Sequence, residues 1–235
     1  MTDNGLHVVF GTGPVGLAVM DDLVRRGKRV RMVNRSGRAD VAEGVEVVGG
    51  DAADSSFTRE ASAGASVVYF ALNPPYDKWP ELFPSLQAGV LEGAASAGAK
   101  LIAVENLYMY GPTGGRPLTE DLAYAASTRK GAVRARMSRE LVEADASGKV
   151  RVAIGRASDF FGPRVLASAA GEQIFGRAVE GKSAQVAGDP DQPHTYTYAP
   201  ISAKGWSSWA SARRPWVGRG TFRAPRRSRH VSSWR

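Results

Sequence analysis

The sequence predicts an α/β fold: a doubly wound parallel sheet with a small, incomplete lobe at its C-terminal end. Three observations carry that prediction. A glycine-rich run, Gly11-Thr12-Gly13-Pro14-Val15-Gly16, lies between a short apolar run and an amphipathic stretch. Apolar β-branched runs then alternate with helical spacings along most of the chain. Such alternation implies parallel strands joined by right-handed crossovers. The apolar share, 43%, is enough for a sizeable core.

Each element follows in order. Leu6 to Phe10 is a buried-strand pattern. Val15, Ala18, Val19, Leu23 and Val24 recur at helical spacing, with Asp21, Asp22, Arg25 and Arg26 between them, and Gly27 is a helix stop. "RVRMVN" is the second strand, and "VEVVGGDAAD" a third that ends at Asp51. "ASVVYFALNPPY" is a fourth strand running into a loop of Leu72, Asn73, Pro74 and Pro75. A helix is expected from about Trp79 to Ala97, a fifth strand at "KLIAVEN", and a basic helix over roughly Arg129 to Ala146. "VRVAIGRASDFFGP" is a sixth strand leading into a loop. No internal repeat is visible.

Strand–loop–helix–strand is the context in which such a glycine run holds a dinucleotide. Gly11 permits the turn, Gly13 lets backbone approach a pyrophosphate, and Gly16 lets the helix pack on the strand. Thr12, Pro14 and Val15 complete the loop, and Pro14 suits a first helical turn. The helix N-terminus receives the phosphate charge. At the end of the second strand stand Asn34 and Arg35, with Arg38 beyond, and no carboxylate. A guanidinium there favours a 2′-phosphate, so NADP is expected in preference to NAD. Ligands in such sheets lie outside the strand C-termini. That places Asp51, Ala52, Leu72, Asn73, Pro74 and the 106–111 segment along the same edge.

The formal charge of +8 belongs to one end of the chain. No acidic residue follows Asp191, where nine of the 31 Lys+Arg lie; the rest carries 22 basic and 23 acidic residues, a net of −1. No nucleic-acid partner is expected of the fold. The chain has no cysteine, which excludes disulfides and thiolate chemistry. The start "MTDNGLHVVF" has no secretory pattern, and no run is long enough to span a bilayer, so a cytoplasmic location is expected. No His or carboxylate grouping has metal-ligand spacing, so no metal is expected.

Residues 199–235 form an aberrant basic tail. From Gly205 on, "GWSSWASARRPWVGRGTFRAPRRSRHVSSWR" shows neither helical nor strand periodicity and holds four of the five Trp. One restored cytosine before Trp206, with GC-rich codons, gives an ordinary continuation, "LVVLGERPEALGRAWHLPAPETV". Out-of-frame translation of 206–235 is therefore the leading reading. An interaction arm of basic and aromatic residues is the alternative.

Over about residues 6–198 the chain resembles the extended or atypical short-chain dehydrogenase/reductase superfamily, in its NAD-dependent epimerase/dehydratase-like branch. The glycine loop, Asp51, "ALNPPY", "YMYGP", "RASDFFGP" and "HTYTYAP" carry the resemblance in order. It implies a Rossmann sheet in a dinucleotide domain over 1–157, a partial substrate lobe over 158–198, and a small-molecule substrate. It also brings the analogy of a homodimer. The family's Ser and Tyr-x-x-x-Lys are not matched: the Ser position is Asn106, the Tyr position Ala132 and the Lys position Arg136. Asn106, Tyr108, Tyr110 and Arg136 are the candidate catalytic residues, and Lys130 is a further cation near the basic helix's start. Two readings of Tyr108 and Tyr110 stay open: reach to the nicotinamide, or half-buried packing. Glu105 is expected to be a strand-end charge and His194 a loop residue. The helix cations are either a solvated face or a phosphate contact. An NADP-dependent oxidoreductase or epimerase-like enzyme is the first functional reading. A non-catalytic redox sensor of NmrA-like type is the alternative, supported by the missing Tyr-x-x-x-Lys.

Overall fold

The computed structural model describes residues 5–168, 170–186, 189, 193–210 and the backbone of 220–221. Its centre is a parallel sheet of β1 (Leu6–Phe10), β2 (Arg29–Asn34), β3 (Glu46–Gly49), β4 (Ala65–Phe70), β5 (Lys100–Glu105) and β6 (Val152–Arg156). The spatial order is β3-β2-β1-β4-β5-β6, and a two-residue strand, Gly220–Thr221, extends the β6 edge. The strand order reverses between β1 and β4, which makes a crevice at their C-terminal ends.

Alternation along each strand sorts side chains onto the two faces. Leu6, Val8, Phe10, Val68, Phe70, Leu101 and Ala103 enter one core. That face is covered by α2 (Ser55–Ala61), α3 (Trp79–Ser96) and α4 (Arg129–Ala146). Val9, Val67, Tyr69 and Ile102 enter the other, under α1 (Pro14–Arg25) and, after the three-residue α5 (Arg177–Val179), α6 (Ala199–Ala210). His7 is buried with them, its Nδ1 at 3.1 Å from the Tyr69 hydroxyl. The helix α2, absent from the sequence reading, starts where the Asp54 carboxylate accepts from the N–H groups of Ser56 and Phe57.

Three elements differ from expectation. The third strand stops at Gly49, short of Asp51. After β6 the chain forms β7 (Asp159–Phe161), which pairs in parallel with β8 (Tyr196–Tyr198) as a separate ribbon. The expected aperiodic stretch from Gly205 is instead helical as far as Ala210. Ala199, Ala203, Trp206 and Ala210 fall on one buried face. Trp206 is fully buried in the slot opposite Gly155, where a Cβ would lie 1.8 Å from the indole Nε1. Residues 211–219 and 222–235 of the expected tail lie outside the described residues.

Candidate active site

The glycine loop leaves β1 and enters α1 at the reversal point. Gly11 has φ +117°, and a Cβ there would meet the Ala71 carbonyl oxygen at 2.5 Å. A Cβ on Gly16 would meet the Gly11 oxygen at 2.0 Å. A Cβ on Gly13 would meet nothing within 4 Å. Two glycines are thus required by the protein itself, whereas Gly13 faces open space. Gly13 is also the N-cap of α1; no side chain caps that end, Pro14 fills the first turn, and no acidic residue lies in it. Unshielded amides and the positive end of the helix dipole therefore meet that space.

The neighbouring residues hold the loop in place. Gly11 N–H donates to the Val33 oxygen at 2.9 Å. Asn34 Nδ2 donates to Thr12 Oγ1 at 2.9 Å and to the Arg38 oxygen at 2.8 Å, while Asn34 Oδ1 accepts from Gly37 N–H at 2.8 Å. The Asn34 amide is thus a brace of the loop. Arg35 and Arg38 are exposed beside it and, among the described residues, join no ion pair. Asp51 is exposed, with Oδ1 accepting from Ala53 N–H at 2.9 Å, and Ala52 is buried. Leu72 packs on the core, Asn73 is exposed, and Pro74 is buried with its oxygen accepting from Trp79 Nε1 at 3.1 Å. A cradle with bare amides and no side chain at its centre fits a dinucleotide diphosphate.

Beyond β4 and β5, on the same edge, is a pocket of about 540 Å³ lined by Tyr76, Leu107, Tyr108, Pro112, Thr128 and Lys130, among others. The Tyr76 and Tyr108 hydroxyls are 3.4 Å apart. Lys130 Nζ lies 3.7 Å from the Tyr76 ring centroid. Trp79 backs both tyrosines, with ring centroids at 5.0 and 5.4 Å. Asn106 Oδ1 accepts from Tyr108 N–H at 3.2 Å and so orients that turn. Burial pushes the Tyr108 phenol up, helped by the Tyr76 hydroxyl and by the negative charge of Asp159. Asp159 in turn meets His194 Nε2 at 2.7 Å. His194 is thus a loop residue, as expected, whose ring is held by the Asp159 carboxylate.

Tyr110 and Arg136, both candidate catalytic residues, lie outside that pocket's lining. Tyr110 is 2% exposed, and its hydroxyl accepts from Arg156 Nη1 at 2.8 Å. It is therefore spent on the interior. Arg136 is exposed, outside the pocket lining, and pairs with Glu140 at 3.6 Å. The α4 residues that line the pocket are Arg129 and Lys130.

Glu105 is the last residue of β5, the strand-end charge expected, and it is buried there between two guanidiniums. Arg156 Nε donates to it at 3.0 Å, and Arg134 Nη2 lies 3.7 Å away. Ser138 donates to the same carboxylate, and Arg156 also bonds Ser138 and Tyr124. Burial works against the charge on Arg134, and Glu105 works for it. So Arg134 is no solvated helix charge. The sequence separation of these partners, spread over β5, the following loop, α4 and β6, left no local signal. Tyr76 was missed for the same reason.

Among the described residues no cluster of three or more His, Asp or Glu side chains could hold a metal, and no helix is long and apolar enough to cross a membrane.

No curated protein matches the chain. Solved structures do. The UDP-N-acetylglucosamine 4-epimerase from Methanobrevibacter ruminantium M1, in complex with UDP-N-acetylmuramic acid, has a TM-score of 0.77 at 18% identity, over 90% of this chain and 74% of that one. The UDP-N-acetylglucosamine 4-epimerase from Bacillus cereus gives 0.76 at 15%, over 92% and 74%. The UDP-glucose 4-epimerase of Thermus thermophilus, in complex with NAD, gives 0.71 at 18%, over 88% and 75%. At these identities the likeness establishes the fold. A family model described as NAD(P)H-binding matches residues 11–148, more than half of the chain. The chain belongs to that NAD(P)H-binding family, on a Rossmann-like fold shared with these epimerases.

Proposed function

We propose that the chain is an NADP(H)-dependent oxidoreductase or epimerase-like enzyme acting on a small molecule. The observation that carries this reading is the open face of Gly13 against the uncapped N-terminus of α1. Gly11, Gly13, Gly16 and the first amides of α1 would hold the diphosphate. Arg35, with Arg38, would take the 2′-phosphate. Asp51, Ala52 and Leu72–Pro74 flank the adenine and nicotinamide halves of the same crevice. When bound, the nicotinamide supplies or accepts a hydride. Substrate enters the pocket of Tyr76, Tyr108 and Lys130, whose lining comes from the dinucleotide domain of 1–157. Tyr108, exposed to that pocket and held in its protonated form, suits a hydrogen-bond donor to a substrate oxygen. The solved neighbours described with NAD or with UDP-linked sugars support a nicotinamide cofactor and a small-molecule substrate. A pocket walled by hydroxyls and a cation beside the cofactor crevice favours an enzyme over a redox sensor.

The test is a titration followed by dihydronicotinamide fluorescence. The full chain is expected to bind NADPH more tightly than NADH. Arg35→Glu is expected to weaken NADPH about tenfold or more while changing NADH little, the value of a lost charge-assisted contact. An unchanged ratio removes the NADP assignment. Failure to bind either dinucleotide removes the whole reading.

A further inference from the structure

A reductase of this kind must deliver a proton as well as a hydride, and the positions that the family pattern gives to Tyr and Lys are Ala132 and Arg136 here. Arg136 lies outside the pocket, and an arginine is no proton carrier near neutrality. We infer that Tyr108 and Tyr76 form a two-step proton relay, with Lys130 as its electrostatic support, in place of Tyr-x-x-x-Lys. The inference rests on the oxidoreductase reading above.

The placement comes from three elements. Tyr108 follows β5, and its turn is fixed by the Asn106 side chain. Tyr76 starts the 3₁₀ turn after β4 and packs edge-on against Trp79 at 5.0 Å. Trp79 is itself fixed by its bond to the Pro74 oxygen. Lys130 comes from the first turn of α4, which Thr128 Oγ1 caps by accepting from Gly131 N–H at 3.1 Å. The hydroxyl separation of 3.4 Å is long for O–H···O, and such catalytic contacts tighten when ligand is bound. Both rings are open to the pocket, with Tyr76 55% and Tyr108 40% exposed. Tyr110, by contrast, is sealed in. The charged and titratable groups around Tyr108 are Tyr76, Asp159 and, in the pocket lining, Arg129 and Lys130.

The chemistry balances. A carbonyl carbon takes the hydride that a reduced nicotinamide supplies, and the C=O π bond opens toward oxygen. The Tyr108 O–H bond breaks, its proton goes to that oxygen, and an alcohol and a Tyr108 phenolate result. The Tyr76 hydroxyl then gives its proton to Tyr108. Solvent, which reaches the exposed Tyr76, restores the second proton. The Lys130 ammonium over the Tyr76 ring lowers the cost of the transient negative charge. Tyr108 is the catalytic residue in this scheme; Tyr76 and Lys130 act through it. Oxidation of an alcohol runs the same relay backwards.

The experiment uses the full chain and the variants Tyr108→Phe, Tyr76→Phe and Lys130→Met. NADPH affinity is measured first; if the unaltered chain does not bind NADPH, the parent reading fails, and the relay with it. Turnover is then followed by NADPH oxidation with diacetyl, 4-nitrobenzaldehyde and 9,10-phenanthrenequinone. Tyr108→Phe is expected to lower kcat about 100-fold and Tyr76→Phe about tenfold, with KM for NADPH unchanged. A second readout needs no turnover. With ¹³Cζ-labelled tyrosine, the Tyr108 resonance, assigned by its loss in Tyr108→Phe, should stay phenolic beyond the pH at which ordinary tyrosine ionises, about 10. In Tyr76→Phe it should titrate earlier. The relay is overturned, with the parent reading intact, if NADPH binds but Tyr76→Phe leaves both the Tyr108 resonance and kcat unmoved. It is equally overturned if NADPH binds and none of the three carbonyl compounds is reduced.

Discussion

The glycine loop and the Tyr108 pocket lie on one edge of one sheet, yet they are built in opposite ways. The loop carries its chemistry in the backbone. Its parts are contiguous, Gly11 to Gly16: Gly11 and Gly16 are required by close backbone contacts, and Gly13 faces open space. The pocket carries its chemistry in side chains from the turns after β4 and β5 and from α4. Behind it, the buried Glu105, Arg134 and Arg156 couple β5 to α4 and β6. A backbone site is specified by a short run of sequence, whereas a side-chain site is specified only by the fold.

The contrast is broken most severely at the buried ion network. Glu105→Gln leaves two buried guanidiniums without a carboxylate, and is expected to cost about 3–5 kcal/mol in urea unfolding. A much smaller loss would mean that the network does not hold the pocket's frame. Next comes Gly16→Val, whose Cβ collides with the Gly11 carbonyl; unfolding should move by about 1–3 kcal/mol, and cofactor affinity should fall with it. If affinity falls with no change in stability, Gly16 has been given the wrong task.

The smallest effects are electrostatic. Burial and neighbours raise both Tyr108 and Tyr110 above ordinary tyrosine, so the folded state holds these protons more firmly than the unfolded chain. The stabilisation this brings is fully present below the unfolded tyrosine value, about pH 10, and is lost as pH rises through the folded values. Melting temperature should therefore fall above about pH 10 less steeply in Tyr108→Phe than in the unaltered chain. Asp159→Asn removes a negative charge that opposes the phenolate, so the Tyr108 resonance should titrate earlier. A later titration would reverse the sign of that coupling.

The same division explains what the sequence disclosed. Leu6–Phe10, Arg29–Asn34 and Arg129–Ala146 are read off the chain with their observed limits, because each pattern is closed by its own neighbours. The fold class and the cofactor loop follow from such local units. The burial of Tyr110 and the exposure of Arg136 are not legible in the sequence, because a position counted along a motif does not say which way a side chain points. Glu105 reads as the strand-end charge it is, but its partners Arg134 and Arg156 arrive from other elements. The end of the chain shows a subtler loss. Ala199, Ala203, Trp206 and Ala210 do have helical spacing, but a reading that begins at Gly205 cuts the period in half. Gly155, the reason Trp206 fits, is 51 positions earlier in the numbering.

The central claim is that bare amides at the head of α1 receive a diphosphate because residue 13 has no side chain. Its most direct measurement is an NADPH titration of Gly13→Val, run beside urea unfolding of the same variant. No protein atom lies within 4 Å of the added Cβ, so stability should stay within about 0.5 kcal/mol of the unaltered chain. Affinity should fall about 100-fold or more, near 2.8 kcal/mol. A stable Gly13→Val that binds NADPH as tightly as before would contradict the account.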